Sequence, residues 1–118
     1  MKQIIAIVFI AIYLVSCSSF KSLNSTTYIK ANDEFILGNN VHGKFNVNVT
    51  NTSNFEIAIW QYPISGGRHS LTSLKPFASI KLDIDKNTSL RIENHSNEQV
   101  AVKLKVKGDT GLSMGYKN

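Results

Sequence analysis

The sequence predicts an all-β fold, a single small antiparallel β-sandwich of about seven to nine short strands over residues 28–118. Three observations carry that expectation. Apolar and polar residues alternate at period two in five separate runs, the signature of strands with one buried and one wet face. The breaks between runs are rich in Asn, Ser, Asp and Gly, which bond their own backbone or tolerate left-handed geometry. From Cys17 onward, Leu, Ile, Val and Phe make up 27 of 102 residues. That exceeds the roughly 20% below which chains stay disordered, so this part should bury a core.

Taken in order, Tyr28 to Ala31 and Glu34 to Leu37 are short strand candidates. Phe45, Val47 and Val49 alternate with Asn46, Asn48 and Thr50. Phe55, Ile57 and Ile59 alternate with Glu56, Ala58 and Trp60, and His69 to Leu74 is another short candidate. Ile80, Leu82 and Ile84 alternate with Lys81, Asp83 and Asp85, and Leu90 and Ile92 with Arg91 and Glu93. Val100, Val102, Leu104 and Val106 alternate with Ala101, Lys103, Lys105 and Lys107, and Leu112 to Tyr116 ends the set. Past the first seventeen residues, no window of ten shows a helical period. The spacing of turns resembles an immunoglobulin-like sandwich in size and rhythm, without its Cys…Trp…Cys hallmark, and a small closed barrel is the alternative. Two turns read Asn-x-Ser-Asn, at 51–54 and 94–97; because their flanking strands differ, they do not establish an internal repeat.

The N-terminus carries a different signal. Met1-Lys2-Gln3 is a short basic start, and Ile4 to Val15 is an unbroken apolar run. A bilayer-spanning helix needs about 20 such residues, so this run has the length of a signal-peptide core. It ends Leu14-Val15-Ser16-Cys17, which resembles the lipobox of bacterial lipoproteins: a leucine, a small or branched residue, a small residue, then cysteine. The resemblance implies a signal peptide over residues 1–16, diacylglycerol on the Cys17 thiol, cleavage before it and acylation of the new amino group. Two or three acyl chains anchor a protein effectively permanently. Residues 17–27 are then the lipidated cysteine and a flexible tether reaching at most about 35 Å. Ser18-Ser19 resembles outer-membrane sorting, and Ser18 to Thr27 holds no acid. The expected address is the bacterial cell envelope, on the outer membrane and facing the periplasm.

Chemistry is sparse. Cys17 is the sole cysteine, which excludes an intrachain disulfide, a Cys-based zinc site and a CxxC pair. The three histidines, His42, His69 and His95, lie in or beside turns. No serine sits in a Gly-x-Ser-x-Gly elbow, and no glycine-rich phosphate loop occurs. Asp83-Ile84-Asp85-Lys86-Asn87 begins like a calcium loop, but Thr88 and Asn94 stand where glycine and glutamate are needed. No enzyme activity, metal or cofactor is expected. The chain is basic, with net charge +5, yet Lys103, Lys105 and Lys107 (with Lys81) suit a solvated strand face, and nucleic acid is not an expected partner.

One constellation stands out. Trp60 and Tyr62 share a strand face and are followed by Gly66-Gly67-Arg68-His69. Trp60, Tyr62, Arg68 and His69 form the expected ligand site, since amphipathic aromatics beside a basic loop suit sugar stacking or a protein partner. The expected function is a non-catalytic, lipid-anchored envelope protein that binds or braces another envelope component. The alternatives are a periplasmic inhibitor or immunity-type lipoprotein using the Gly66–His69 loop, or a glycan-binding surface lipoprotein using Trp60 and Tyr62. The expected partners are the membrane, through acylated Cys17, and an envelope protein or glycan.

Overall fold

The computed structural model describes residues 22–118; the expected signal peptide, Cys17 and residues 18–21 of the expected tether lie outside the described residues. Nine strands follow in order: β1 (Ser22–Ile29), β2 (Glu34–Leu37), β3 (Phe45–Asn51), β4 (Ile57–Pro63), β5 (His69–Leu74), β6 (Ser79–Ile84), β7 (Thr88–Glu93), β8 (Val100–Gly108) and β9 (Met114–Tyr116). They pair antiparallel into two sheets, a four-stranded one ordered β1-β8-β3-β6 and a five-stranded one ordered β5-β4-β7-β2-β9. The expected sandwich is therefore present. The apolar member of each alternating pair faces inward, and Val47, Val49, Ile57, Ile59, Leu90, Ile92, Val102, Leu104 and Val106 are almost wholly shielded.

Connectivity separates this sandwich from the immunoglobulin plan. Among the described residues, only β4 and β5 are sequence neighbours paired within one sheet; all seven other links cross from sheet to sheet. The first eight strands thus interleave as two Greek keys, the plan of a jelly roll. Turn residues mark where a strand ends but not which sheet the next one joins, so the plan is invisible in the alternation.

Residues 22–27, expected to belong to a flexible tether, are strand. Ser22 to Thr27 pairs with β8 in unbroken register, from Ser22 opposite Lys107 to Ile29 opposite Val100. These residues look like linker because β1 is an edge strand, polar on its outer face and only half-buried at Leu23 and Ser25 on its inner one. Phe55 is likewise outside its expected strand, half-buried in the corner before Ile57.

The two Asn-x-Ser-Asn turns are one structure built twice. Asn51 Nδ2 donates to the carbonyls of Phe55, Leu74 and Lys75, and Asn94 Nδ2 to those of Glu98, Ile29 and Lys30. In each, the Asn Oδ1 accepts from the following serine, Ser53 or Ser96, at 2.6 Å from Oγ and 3.0 Å from N. Asn51 N donates to Ala78 O and Asn94 N to Asp33 O, both at 2.9 Å. The crossings that supply these acceptors also match, with left-handed Asn32 (φ 57°) in one and Phe77 (φ 61°) in the other. Adding four to each strand number, with the count returning to β1 after β8, turns the order β1-β8-β3-β6 into β5-β4-β7-β2. Residues 45–62 therefore run parallel in plan to 88–105 without a gap: Val47 with Leu90, Val49 with Ile92, Asn51 with Asn94, Ile57 with Val100. The flanking strands differ outside and match inside at Val47 and Leu90, Val49 and Ile92, Ile57 and Val100, and Ile59 and Val102, so the turns, which in sequence alone do not establish a repeat, sit in a scaffold built twice.

Candidate functional site

Two outer faces could present chemistry, and the strand register assigns each. On the five-stranded sheet, Trp60 of β4 lies opposite Arg91 of β7, which lies opposite Ile36 of β2. The next row holds Ala58, Glu93 and Glu34. Tyr62 follows Trp60 along β4 on the same face. Because β4 and β7 are interior strands of this sheet, the long side chains lie over their neighbours and become half-buried.

Two guanidinium–aromatic stacks result. The Arg68 guanidinium sits 4.1 Å from the centre of the Trp60 ring, and that of Arg91 sits 4.1 Å from the centre of Tyr62. Each such stack contributes about 0.5–1 kcal/mol where exposed and more when dry. Arg68 reaches back from the β4–β5 hairpin, where left-handed Gly66 and Gly67 turn the chain.

Arg91 also faces Glu34, with 3.9 Å between Nη1 and Oε2, an ion pair too long for a hydrogen bond. Glu34 is buried, and among the described residues its Oε1 and the Nε of Arg91 have no hydrogen-bond partner. Burial holds the Glu34 carboxyl above its usual range; Arg91 pulls the other way, and Glu93 adds to the rise. A buried carboxylate and guanidinium with unused bonding capacity are costly unless something completes them.

The four expected site residues thus divide. Trp60 and Arg68 come together, and Tyr62 shares their face but takes Arg91 as its partner. His69 does not join them. It is exposed, bonded at 2.7 Å to Ser70, and lines a separate recess with Ile64, Asp85 and Lys86. Arg91, Glu34 and Glu93 were not among the expected site residues. Arg91 and Glu93 looked like the wet side of another strand, and only register places them beside Trp60.

The four-stranded sheet shows a contrasting exterior. Lys103, Lys105 and Lys107 stand exposed along β8, with Asn46 and Asn48 of β3 between them and Lys81 of β6. No carboxylate lies within 4.0 Å of any of the four lysines among the described residues. At the edge of the sandwich, exposed Tyr28 and Tyr116 flank a recess of about 220 Å³ lined also by Lys30, Asp33 and Gln99. Of the histidines, buried His42 has both ring nitrogens against backbone carbonyls, Gly43 O at 2.6 Å and Thr88 O at 2.9 Å. His95 projects into solvent 3.5 Å from Glu93. Among the described residues, no group of three His, Cys, Asp or Glu is placed to hold a metal.

No protein-family model matches the chain, and no curated protein sequence matches it. Solved structures do share the fold. The capsular polysaccharide assembling protein CapF from Staphylococcus aureus superposes with a TM-score of 0.56 at 16% identity, over 75% of this chain and 24% of CapF. Procruciferin, an 11S globulin from Brassica napus, gives 0.53 at 14% identity, over 80% of this chain and 22% of its own. RmlC from Streptococcus suis, in complex with dTDP-D-xylose, gives 0.50 at 13% identity, over 75% of this chain and 44% of RmlC. This chain therefore spans less than half of each of these proteins. At such identities the likeness is one of fold alone.

Proposed function

We propose that this protein is a non-catalytic, lipid-anchored module of the bacterial cell envelope, held by acylated Cys17. On this reading, the outer face of the five-stranded sheet engages another envelope component. The observation that carries the proposal is the pair of guanidinium–aromatic stacks on that face, Arg68 over Trp60 and Arg91 over Tyr62. Arginine, tryptophan and tyrosine are the side chains that most often dominate binding energy at interfaces. The lipobox at residues 14–17 supports the address. The engagement of both His42 nitrogens by backbone supports a non-catalytic reading. If the captured component were an enzyme, the protein would act as an inhibitor or immunity-type lipoprotein.

The test is affinity capture of the mature protein from its own envelope, with wild type beside Trp60→Ala and Arg68→Ala. A component retained by wild type and reduced at least tenfold by either substitution, with each variant still folded at the capture temperature by circular dichroism, supports the reading. Equal retention by all three contradicts it.

A glycan reading finds a second footing in the recess between Tyr28 and Tyr116, where two exposed aromatic rings meet a carboxylate and an amide. At Trp60 and Tyr62, a guanidinium already lies over each ring. Cell-wall saccharides that shift tyrosine rather than tryptophan fluorescence, with the shift lost in Tyr28→Ala, would favour this second reading.

A further inference from the structure

The strand register fixes which end of the sandwich the anchor leaves from. Ser22, the start of β1, pairs with Lys107, and the next residue of β8, Gly108, pairs with Phe45 at the start of β3. Those ends share one side with the β2–β3 loop, the β4–β5 hairpin and the β6–β7 turn. Only residues 18–21 separate Cys17 from Ser22, a reach of about 18 Å when fully extended. With Cys17 in a bilayer, this end of the body cannot leave the membrane surface.

Two large apolar side chains stand out from this end. Val41 is 79% exposed in the β2–β3 loop, and Ile64 is 62% exposed at the base of the hairpin. The loops that carry them are joined through Asn87. Ile64 N donates to Asn87 O, Asn87 N donates to His42 O, and His42 N donates to the Asn87 side chain. Asn40 joins the same loop to the β8–β9 segment, its Nδ2 donating to Gly111 O and its Oδ1 accepting from Ser113 N. Lys44, Lys86 and Lys107 lie in or beside the same loops, together with Asp85 and with Asp109, which accepts from Gly43 N at 2.6 Å. Braced loops that carry exposed apolar tips with lysines close by in the chain fit the boundary between headgroups and acyl chains.

We propose that the anchor end of the sandwich is a membrane-docking surface, with Val41 and Ile64 entering the headgroup boundary of the bilayer that holds Cys17. This inference rests on the anchoring reading above. It stands the strands upright on the membrane and leaves both outer sheet faces free, the five-stranded one for its partner. Tethering makes the contact intramolecular, so a modest affinity of the two tips is enough to keep the body upright.

The test uses the mature protein reconstituted into vesicles of phosphatidylethanolamine and phosphatidylglycerol. A polarity-sensitive fluorophore is placed singly at Val41→Cys, Ile64→Cys or Phe77→Cys. Phe77, 68% exposed, lies at the opposite end and serves as the control. The expected result is several-fold brighter, blue-shifted emission at 41 and 64, quenched by nitroxide lipids, with 77 behaving as in water. The mass of the N-terminal peptide reads the anchor separately. Acylated Cys17 with positions 41 and 64 as wet as 77 overturns this inference and leaves the anchor standing. Unacylated Cys17 overturns both. Protection at 41 and 64 in native envelopes but not in pure lipid also overturns it, because the occupant would then be a protein.

Discussion

Residues 45–62 and 88–105 trace the same path and show the solvent different chemistry. Inside, both halves carry branched aliphatic residues at the four matching positions nearest the corner, and both turn on a buried Asn that fills three carbonyl acceptors. Outside, Trp60 and Tyr62 in one half stand where Lys103 and Lys105 stand in the other. Thr50 and Ser79 form a hydroxyl pair at 2.7 Å, and at the matching place Glu34 and Glu93 set two carboxylates opposite each other. Packing and corner geometry tolerate little change, so the halves agree there. The outer faces are where this scaffold is free to specialise.

The sharpest test of that equivalence removes the corners. Asn51→Ala and Asn94→Ala each strand three carbonyls and the bonds of one serine. Each should lower unfolding free energy by about 3 kcal/mol in urea titrations. Effects differing by more than about 2 kcal/mol would break the likeness of the halves. A second comparison uses glycines where the halves part. At Gly108 (φ +99°), an added Cβ would meet Lys44 O at 2.9 Å, whereas at Gly67 (φ +78°) nothing lies within 4 Å. Gly108→Ala should cost about 3 kcal/mol and Gly67→Ala about 1 kcal/mol, read from the same titrations.

The carboxylate pair gives a smaller effect that depends on pH. Since burial raises the folded-state pKa of Glu34, the folded protein binds that proton more tightly than the unfolded chain does. Stability contributed by this group is greatest below its unfolded value, near 4.5, and falls as pH rises through the raised folded value. Glu34→Gln should flatten that segment of the stability–pH curve and be at least as stable as wild type at pH 8. A steeper fall in the variant would contradict the assignment. Least costly is Arg68→Ala, which uncovers the Trp60 ring: a loss of at most about 1 kcal/mol and a red-shifted tryptophan emission are expected.

Much of this molecule is legible in its sequence, and the illegible parts have identifiable causes. Alternation finds β2 and β5 to the residue and places the runs of β3, β6, β7 and β8. It misses the first six residues of β1 because an edge strand has little to bury. It also cannot tell that neighbouring strands in sequence lie in opposite sheets. Trp60 and Tyr62 are visible as a pair because one strand carries both. Their partners Arg91 and Glu34 lie on two other strands and meet them only through the register of β4 with β7 and of β7 with β2. The repeated Asn-x-Ser-Asn is present in plain text, yet the outer residues that surround it disguise the inner pattern that makes it a repeat.

The proposed division of labour between an anchored end and a free face depends on the thiol of Cys17. Mass analysis of the mature N-terminal peptide, with Cys17→Ser followed through membrane fractionation, tests it most directly. The expected result is a chain that begins at Cys17 and carries a diacylglyceryl group, with the serine variant uncut and unlipidated. A wild-type chain that keeps residues 1–16, or begins elsewhere with a free thiol, would contradict it.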